Sequence, residues 1–304
     1  MEYVLETNAL TKRYRKFTAL NGLFMHVPKG SVYGFVGRNG AGKTTLIRLV
    51  CGLQEPTDGK FELYGAQSGT KEIYKARRRI GALVETPAIY RDMTAKENLK
   101  QQYRVLGLPS FDGIEELLAL VGLSDSGKKK AGHFSLGMRQ RLAIAIALCG
   151  DPDFLVLDEP MNGLDPQGII EMRELILKLN REKQVTVLVS SHILDELSKV
   201  ATHYGFIDKG SIIKEMSAEE LEMRCRKCVR VEVSNIKTLS YVLDSKGFEY
   251  KIIDNSKADI YADFQVTKLV SALEKENCIV YSMKEQDESL ESFYMNLLGG
   301  ENHE

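Results

Sequence analysis

The sequence predicts an α/β fold built on a largely parallel sheet, followed by a smaller α+β domain. Across about residues 1–215, short β-rich runs alternate with longer amphipathic helical stretches, the pattern of strands covered by helices. Three of the runs, VYGFVG (32–37), DFLVLDE (153–159) and VTVLVSSH (185–192), are almost continuously apolar, as strands buried on both faces must be. After residue 217 the pattern changes: CVRVEVS (228–234) alternates with period two, and the order β-α-β-β-α-β-α reads as ferredoxin-like. The domains so drawn are 1–217 and 218–304.

The elements of the second part follow in order. The polar SAEELEMRCRK reads as helix, then the strand CVRVEVS and the helix IKTLSYVLDSKG. FEYKIID and ADIYADF, separated by NSK, make two strands. QVTKLVSALEKEN sets Val266, Leu269, Val270 and Leu273 at i, i+3, i+4 and i+7, a one-sided helix. CIVYSMKE is a strand, and the last helix carries Leu290, Phe293, Tyr294, Leu297 and Leu298 on one face.

Composition narrows the classes of function. A length of 304 residues is about twice a typical domain. With 41 Lys and Arg against 42 Asp and Glu, the net charge of -1 gives no long-range grip on nucleic acid, and no such partner is expected. No run approaches the roughly 18 to 20 apolar residues that cross a bilayer, and MEYVLETNAL lacks the features of a signal peptide, so a cytoplasmic chain is expected. Five cysteines (Cys51, Cys149, Cys225, Cys228, Cys278) argue against a disulfide framework. Cys225 and Cys228 form CRKC with no second Cys or His pair nearby, and read as ordinary thiols. RRR (77–79) and KKK (128–130) read as solvated surface.

Each of the three apolar runs ends in residues able to handle phosphate or metal, and in open α/β sheets ligands bind at the carboxyl ends of strands. After the first comes GRNGAGKTT: Gly37, Arg38, Asn39, Gly40, Ala41, Gly42, Lys43, Thr44 and Thr45. This fits G-x-x-x-x-G-K-[ST] between a strand and a helix. Its glycines let backbone N–H groups turn toward phosphate oxygens, and the helix adds its positive end. Lys43 would reach the β- and γ-phosphates of ATP, and the Thr44 hydroxyl would ligate Mg2+. The second run ends in Asp158, placed to hold Mg2+, and Glu159, placed as general base for the attacking water. His192 ends the third and could bond the γ-phosphate. His26, His133, His203 and His303 lack such a setting and read as structural. In FSLGMRQRLAIAIAL (134–148), Ser135 reads as a helix N-cap and Gly137 as a point of close backbone approach, making a second anion-binding helix end.

Two phosphate-binding helix ends in one chain, with LVLDEP about 20 residues beyond the second, resemble the ATP-binding subunit of ABC transporters. The resemblance covers about residues 4–215. It implies a P-loop ATPase with a helical subdomain, ATP and Mg2+ as cofactors, and a signature motif that grips the ATP of an opposite subunit. Tyr14 then matches the aromatic that stacks on adenine, and Asp165 in NGLDP the D-loop at the dimer seam. The partners implied are a transmembrane permease, which would hold the chain on the inner face of the membrane, and a second copy in a head-to-tail dimer enclosing two ATP.

Glu85, in GALVETPAIY, falls where most members carry the Q-loop glutamine, implying catalytic and metal-sensing roles. An ionised carboxylate accepts hydrogen bonds or binds Mg2+ but cannot donate as an amide can. IGALVETPAIYRDMTAKENL, the FSLGM signature and the appended C-terminal domain resemble the ATPases of bacitracin- and lantibiotic-type peptide-resistance exporters. Leu136 and Met138, which depart from the common LSGGQ, fit that group too. Open alternatives are an exporter of lipid or another small molecule, a peptide-sensing complex, and a non-transport relative acting on ribosomes or DNA.

Overall fold

The structure is a computed structural model that describes residues 2–224, 228–262, 264–286 and 290–299. Cys225, and with it the CRKC pair, and His303 lie outside the described residues. The chain divides into two compact units, Met1–Ala218 and Glu219–Glu304.

The first unit opens with two twelve-residue strands, β1 (Tyr3–Tyr14) and β2 (Phe17–Pro28), joined by a tight turn where Arg15 takes a φ of 50°. Next come β3 (Val32–Gly37), α1 (Lys43–Val50), β4 (Asp58–Leu63), β5 (Ala66–Gln67), α2 (Glu72–Arg77) and β6 (Ile80–Leu83). Three helices follow, α3 (Ala95–Leu106), α4 (Ile114–Leu120) and α5 (Leu136–Leu148), and they pack on one another as a helical subdomain. The unit finishes with β7 (Phe154–Asp158), α6 (Pro166–Lys183), β8 (Thr186–Ser191), α7 (Leu194–Ser198), β9 (His203–Asp208) and β10 (Ser211–Ser217).

Six strands form the sheet that positions the site, in the order β10-β9-β3-β8-β7-β6, parallel except for β10. Every residue of β3, β7 and β8 is buried, which is why these runs carry no polar alternation. A second sheet, β2-β1-β4-β5, is antiparallel throughout. Alternation of strands and helices does not announce it. Register shifts in β1 after Thr7 and Leu10 break its period-two pattern, as bulges do. The core gathers residues of both sheets around α1, among them Leu10, Met25, Phe35, Leu46, Ile47 and Phe61.

Helix ends are satisfied locally. In α3 the Thr94 hydroxyl accepts the Glu97 N–H at 3.2 Å, and the Glu97 carboxylate accepts the Thr94 N–H at 2.7 Å. The bond from the Thr94 N–H holds the Glu97 carboxyl below its usual range. One expectation is corrected here. Arg77, the first residue of the RRR run, is half-buried and not simply solvated: its guanidinium donates to the Val50 and Leu49 carbonyls at 3.1 and 3.2 Å, capping the C-terminus of α1.

The second unit contains α8 (Ala218–Arg224, beginning at the boundary), β11 (Cys228–Val233), α9 (Ile236–Ser245), β12 (Tyr250–Ile252), β13 (Lys257–Ile260), α10 (Val266–Lys275), β14 (Val280–Gln286) and α11 (Leu290–Gly299). Its sheet runs β12-β13-β11-β14, antiparallel at each pairing. Val231 and Val233 pack with Leu239, Leu243, Leu269 and Leu273 in its core. Between them in β11, Glu232 sits 3.8 Å from Lys257, while Arg230 makes a two-pronged pair with Asp259 at 2.6 and 2.7 Å.

Candidate active site

The strand order brings the three carboxyl ends together. β8 lies between β3 and β7, with Val36 beside Ser191 and Asp158 beside Ser190. Residues more than a hundred positions apart thus share one sheet edge. The loop after β3 folds over this edge because its glycines allow it. Gly40 and Gly42 take φ values of 82° and 114°, and a Cβ on Gly42 would lie 2.6 Å from the Ala19 carbonyl oxygen. The loop is tied down by the Gly210 N–H, which donates to the Ala41 carbonyl at 2.9 Å.

Lys43, the first residue of α1, is 5% exposed. Its ammonium donates to the Gly37 and Arg38 carbonyls at 2.6 and 3.3 Å and lies 3.2 Å from Glu159 Oε1. The neighbouring hydroxyl of Thr44 donates to Asp158 Oδ2 at 2.8 Å, while Ser190 Oγ donates to Oδ1 at 2.6 Å. Asp158 is 3% exposed, so both oxygens of a buried carboxylate are occupied by hydroxyls. Ser190 also accepts the Glu159 N–H at 2.9 Å, and His192 Nδ1 lies 2.8 Å from Glu159 Oε2. Glu159 takes a φ of 51°, a left-handed conformation that non-glycine residues adopt rarely and that turns the chain sharply off the strand.

The structure therefore joins Lys43, Thr44, Asp158, Glu159 and His192 in one hydrogen-bonded group. Ser190 joins them without having been expected from sequence. The signal is present in the Ser-Ser before His192, yet a serine at a strand end has no distinctive spacing.

The remaining sites lie elsewhere. Ser135 caps α5, its hydroxyl accepting the Met138 N–H at 3.2 Å. The nearest atom to a Cβ built on Gly137 is Leu164 Cδ2 at 3.7 Å, so this glycine has room on that side. Asp165 caps α6 by accepting the Gly168 N–H at 3.2 Å. Tyr14, at the end of β1, is 37% exposed; its hydroxyl donates to the Gln54 side chain, and the Lys12 ammonium lies 5.4 Å from its ring centroid. Glu85 is exposed two residues beyond β6, with a φ of 58°, and its carboxylate is engaged by Arg48 of α1 and not by Thr44 or Asp158.

A family model described as ABC transporter matches residues 20–162, the stretch that holds the phosphate loop, Ser135 and the Asp158–Glu159 strand end. The bacitracin transport ATP-binding protein BcrA of Bacillus licheniformis is 40% identical over 306 residues, covering 99% of this chain and 99% of its own. This chain belongs to the ABC transporter ATPases. The lantibiotic transport ATP-binding protein SrtF of Streptococcus pyogenes is 42% identical over 212 residues, which cover 70% of this ATPase and 90% of SrtF. Among solved structures, cbiO1 from Clostridium perfringens, part of the ABC transporter complex cbiONQ, superposes with a TM-score of 0.66 at 25% identity, over 73% of this chain and 92% of that one. As a member of this family the ATPase binds nucleotide and hydrolyses ATP. Among the described residues, no helix is long and apolar enough to cross a membrane.

Proposed function

We propose that this ATPase drives a separate membrane permease that confers resistance to antimicrobial peptides of the bacitracin or lantibiotic type. In this reading residues 1–217 are the motor, working as a head-to-tail dimer on the inner face of the membrane, and residues 218–304 an accessory domain that regulates or stabilises the dimer. The observation that carries the reading is the Lys43–Glu159 and Thr44–Asp158 group, built on the buried Lys43 and Asp158, in a chain that aligns over 99% of its length with a bacitracin transport ATP-binding protein.

Mg2+ fits the residues present. Thr44 and Asp158 offer a hydroxyl and a buried carboxylate, an oxygen-only set suited to a hard cation. Among the described residues no three His, Cys, Asp or Glu side chains gather into a metal site. Phosphate oxygens and water would complete the coordination, with Glu85 as a further oxygen donor. When bound, the ion neutralises charge on the phosphates during transfer.

In turnover Lys43 exchanges the Gly37 and Arg38 carbonyls for β- and γ-phosphate oxygens, and the N–H groups of residues 37–45 turn toward the same phosphates. Released from Lys43, Glu159 accepts the proton of the attacking water through Oε1. His192 holds the other oxygen of that carboxylate and reaches the γ-phosphate. Ser135 and Gly137 present the start of α5 to the nucleotide of the second copy, Asp165 lies at the seam, and Tyr14 stacks on adenine.

Affinity purification of the tagged chain from detergent-solubilised native membranes tests the transporter reading. A stoichiometric multi-span membrane protein is expected, and its deletion together with this chain should sensitise cells to bacitracin or a lantibiotic. Recovery with ribosomes or DNA and without a membrane protein would contradict it.

A further inference from the structure

Glu85 presents two facts that its exposure does not explain. Its φ of 58° costs a non-glycine residue about 1 kcal/mol or more. Its carboxylate pairs with Arg48, and a pair whose side chains are 34% and 53% exposed contributes about 0 to 1 kcal/mol. The ion pair does not offset the strain on its own. A left-handed residue persists only where its surroundings hold it there, and such residues gather at turns and at functional sites.

Position points to the candidate site. β6 pairs in parallel with β7, Leu83 beside Leu157, so the segment that leaves β6 with Val84 and Glu85 emerges at the same sheet edge as Asp158 and Glu159. Arg48 stands on α1, the helix that begins with Lys43 and Thr44. A glutamine amide offers an oxygen that accepts, an N–H that donates, and no net charge. A lone carboxylate offers only acceptors and a negative charge, which repels a triphosphate. The Arg48 guanidinium donates to Glu85 Oε1, leaving Oε2 as acceptor, and it carries further N–H donors.

We propose that Arg48 is a positioning residue that makes Glu85 serviceable beside ATP: together the two side chains supply the acceptor, the donors and the neutrality that an amide would supply alone. The proposal rests on the reading of Glu85 as a residue of the nucleotide site. The Arg48 backbone has a separate task. Its carbonyl accepts the Leu53 and Gln54 N–H groups at 2.9 and 3.3 Å, and Gln54 in turn holds the Tyr14 hydroxyl. Removing the side chain leaves that backbone link in place, so the test isolates the guanidinium.

The test is equilibrium binding of ATP to the full-length chain, with and without Mg2+, in a Glu159→Gln background so that nucleotide is not consumed. Arg48→Ala should raise the Kd for Mg2+-ATP about tenfold, because it leaves the carboxylate uncompensated. Adding Glu85→Gln to Arg48→Ala should bring the Kd back to within about twofold of the Glu85→Gln variant, since the amide needs no partner. If Arg48→Ala causes a loss of the same size whether or not Glu85→Gln is also present, the proposal is overturned, as it is by no loss at all; thermal midpoints of all variants exclude unfolding as its source. If instead Glu85→Ala leaves both the ATP affinity and its Mg2+ dependence at the parental value, the reading of Glu85 itself fails, whatever Arg48 does.

Discussion

Lys43 and Glu159 meet across the phosphate loop, ammonium to carboxylate at 3.2 Å, with side chains only 6% and 21% exposed. In the proposed cycle the pair keeps a cation and the proposed base in contact until phosphate oxygens claim the cation. Lys43→Ala should therefore weaken ATP binding by at least about 30-fold, the equivalent of about 2 kcal/mol for truncating one partner of a withdrawn charge pair. Isothermal titration with ATP checks this; an unchanged Kd would remove Lys43 from the phosphate site.

Asp158 accepts hydroxyl bonds from both sides, Thr44 at 2.8 Å and Ser190 at 2.6 Å. Asparagine there turns one acceptor into a donor that faces a donor. Asp158→Asn should lower stability by about 1 to 3 kcal/mol and abolish the Mg2+-dependent part of ATP affinity. Denaturant midpoints and binding with and without Mg2+ read the two effects separately.

How much of this is legible in the residues depends on distance along the chain. VYGFVG becomes β3 because six apolar residues without alternation admit little else, and the glycines and Lys43 that follow fix the phosphate loop locally. Ser135 can be read as a cap from its place before an apolar helix. The Asp158–Ser190 bond cannot, because it depends on β7 and β8 being neighbours in the sheet, a pairing no local pattern encodes. Arg77 departs from expectation for the same reason: a basic run looks solvated until the carbonyls at the end of α1 are brought to it.

Burial pushes the Cys51 and Cys149 thiols up to about 12. A thiol whose folded pKa exceeds its unfolded value of about 8.5 stabilises the fold fully below that pH, and the contribution is lost as pH rises from about 8.5 toward 12. The thermal midpoint should fall through this window, and less steeply in Cys149→Ala. Equal slopes for parent and variant would contradict the shift. The same burial predicts that Cys149 reacts slowly with maleimide at neutral pH.

The chain's division at Ala218 motivates a truncation. Ending the protein after Ser217 should leave ATP affinity within about twofold of the parent, because the side chains of the proposed phosphate site lie between Gly37 and His192, while weakening ATP-dependent self-association. Light scattering of the two forms with ATP compares them; full self-association and full peptide resistance in the truncated form would argue that the second unit has no such role.

The most direct measurement uses Glu159→Gln, which keeps the hydrogen-bonding shape of the Lys43 and His192 contacts but removes the proposed base. Turnover should drop by about 10²- to 10⁴-fold while ATP still binds. With Mg2+-ATP, light scattering should then report a particle of twice the 34.2 kDa of one chain, carrying two nucleotides, and it should return to monomer when ATP is withdrawn. A variant that hydrolyses ATP at the parental rate, or that binds ATP and stays monomeric at every concentration, would contradict a motor that closes on two ATP and opens by hydrolysis through Glu159.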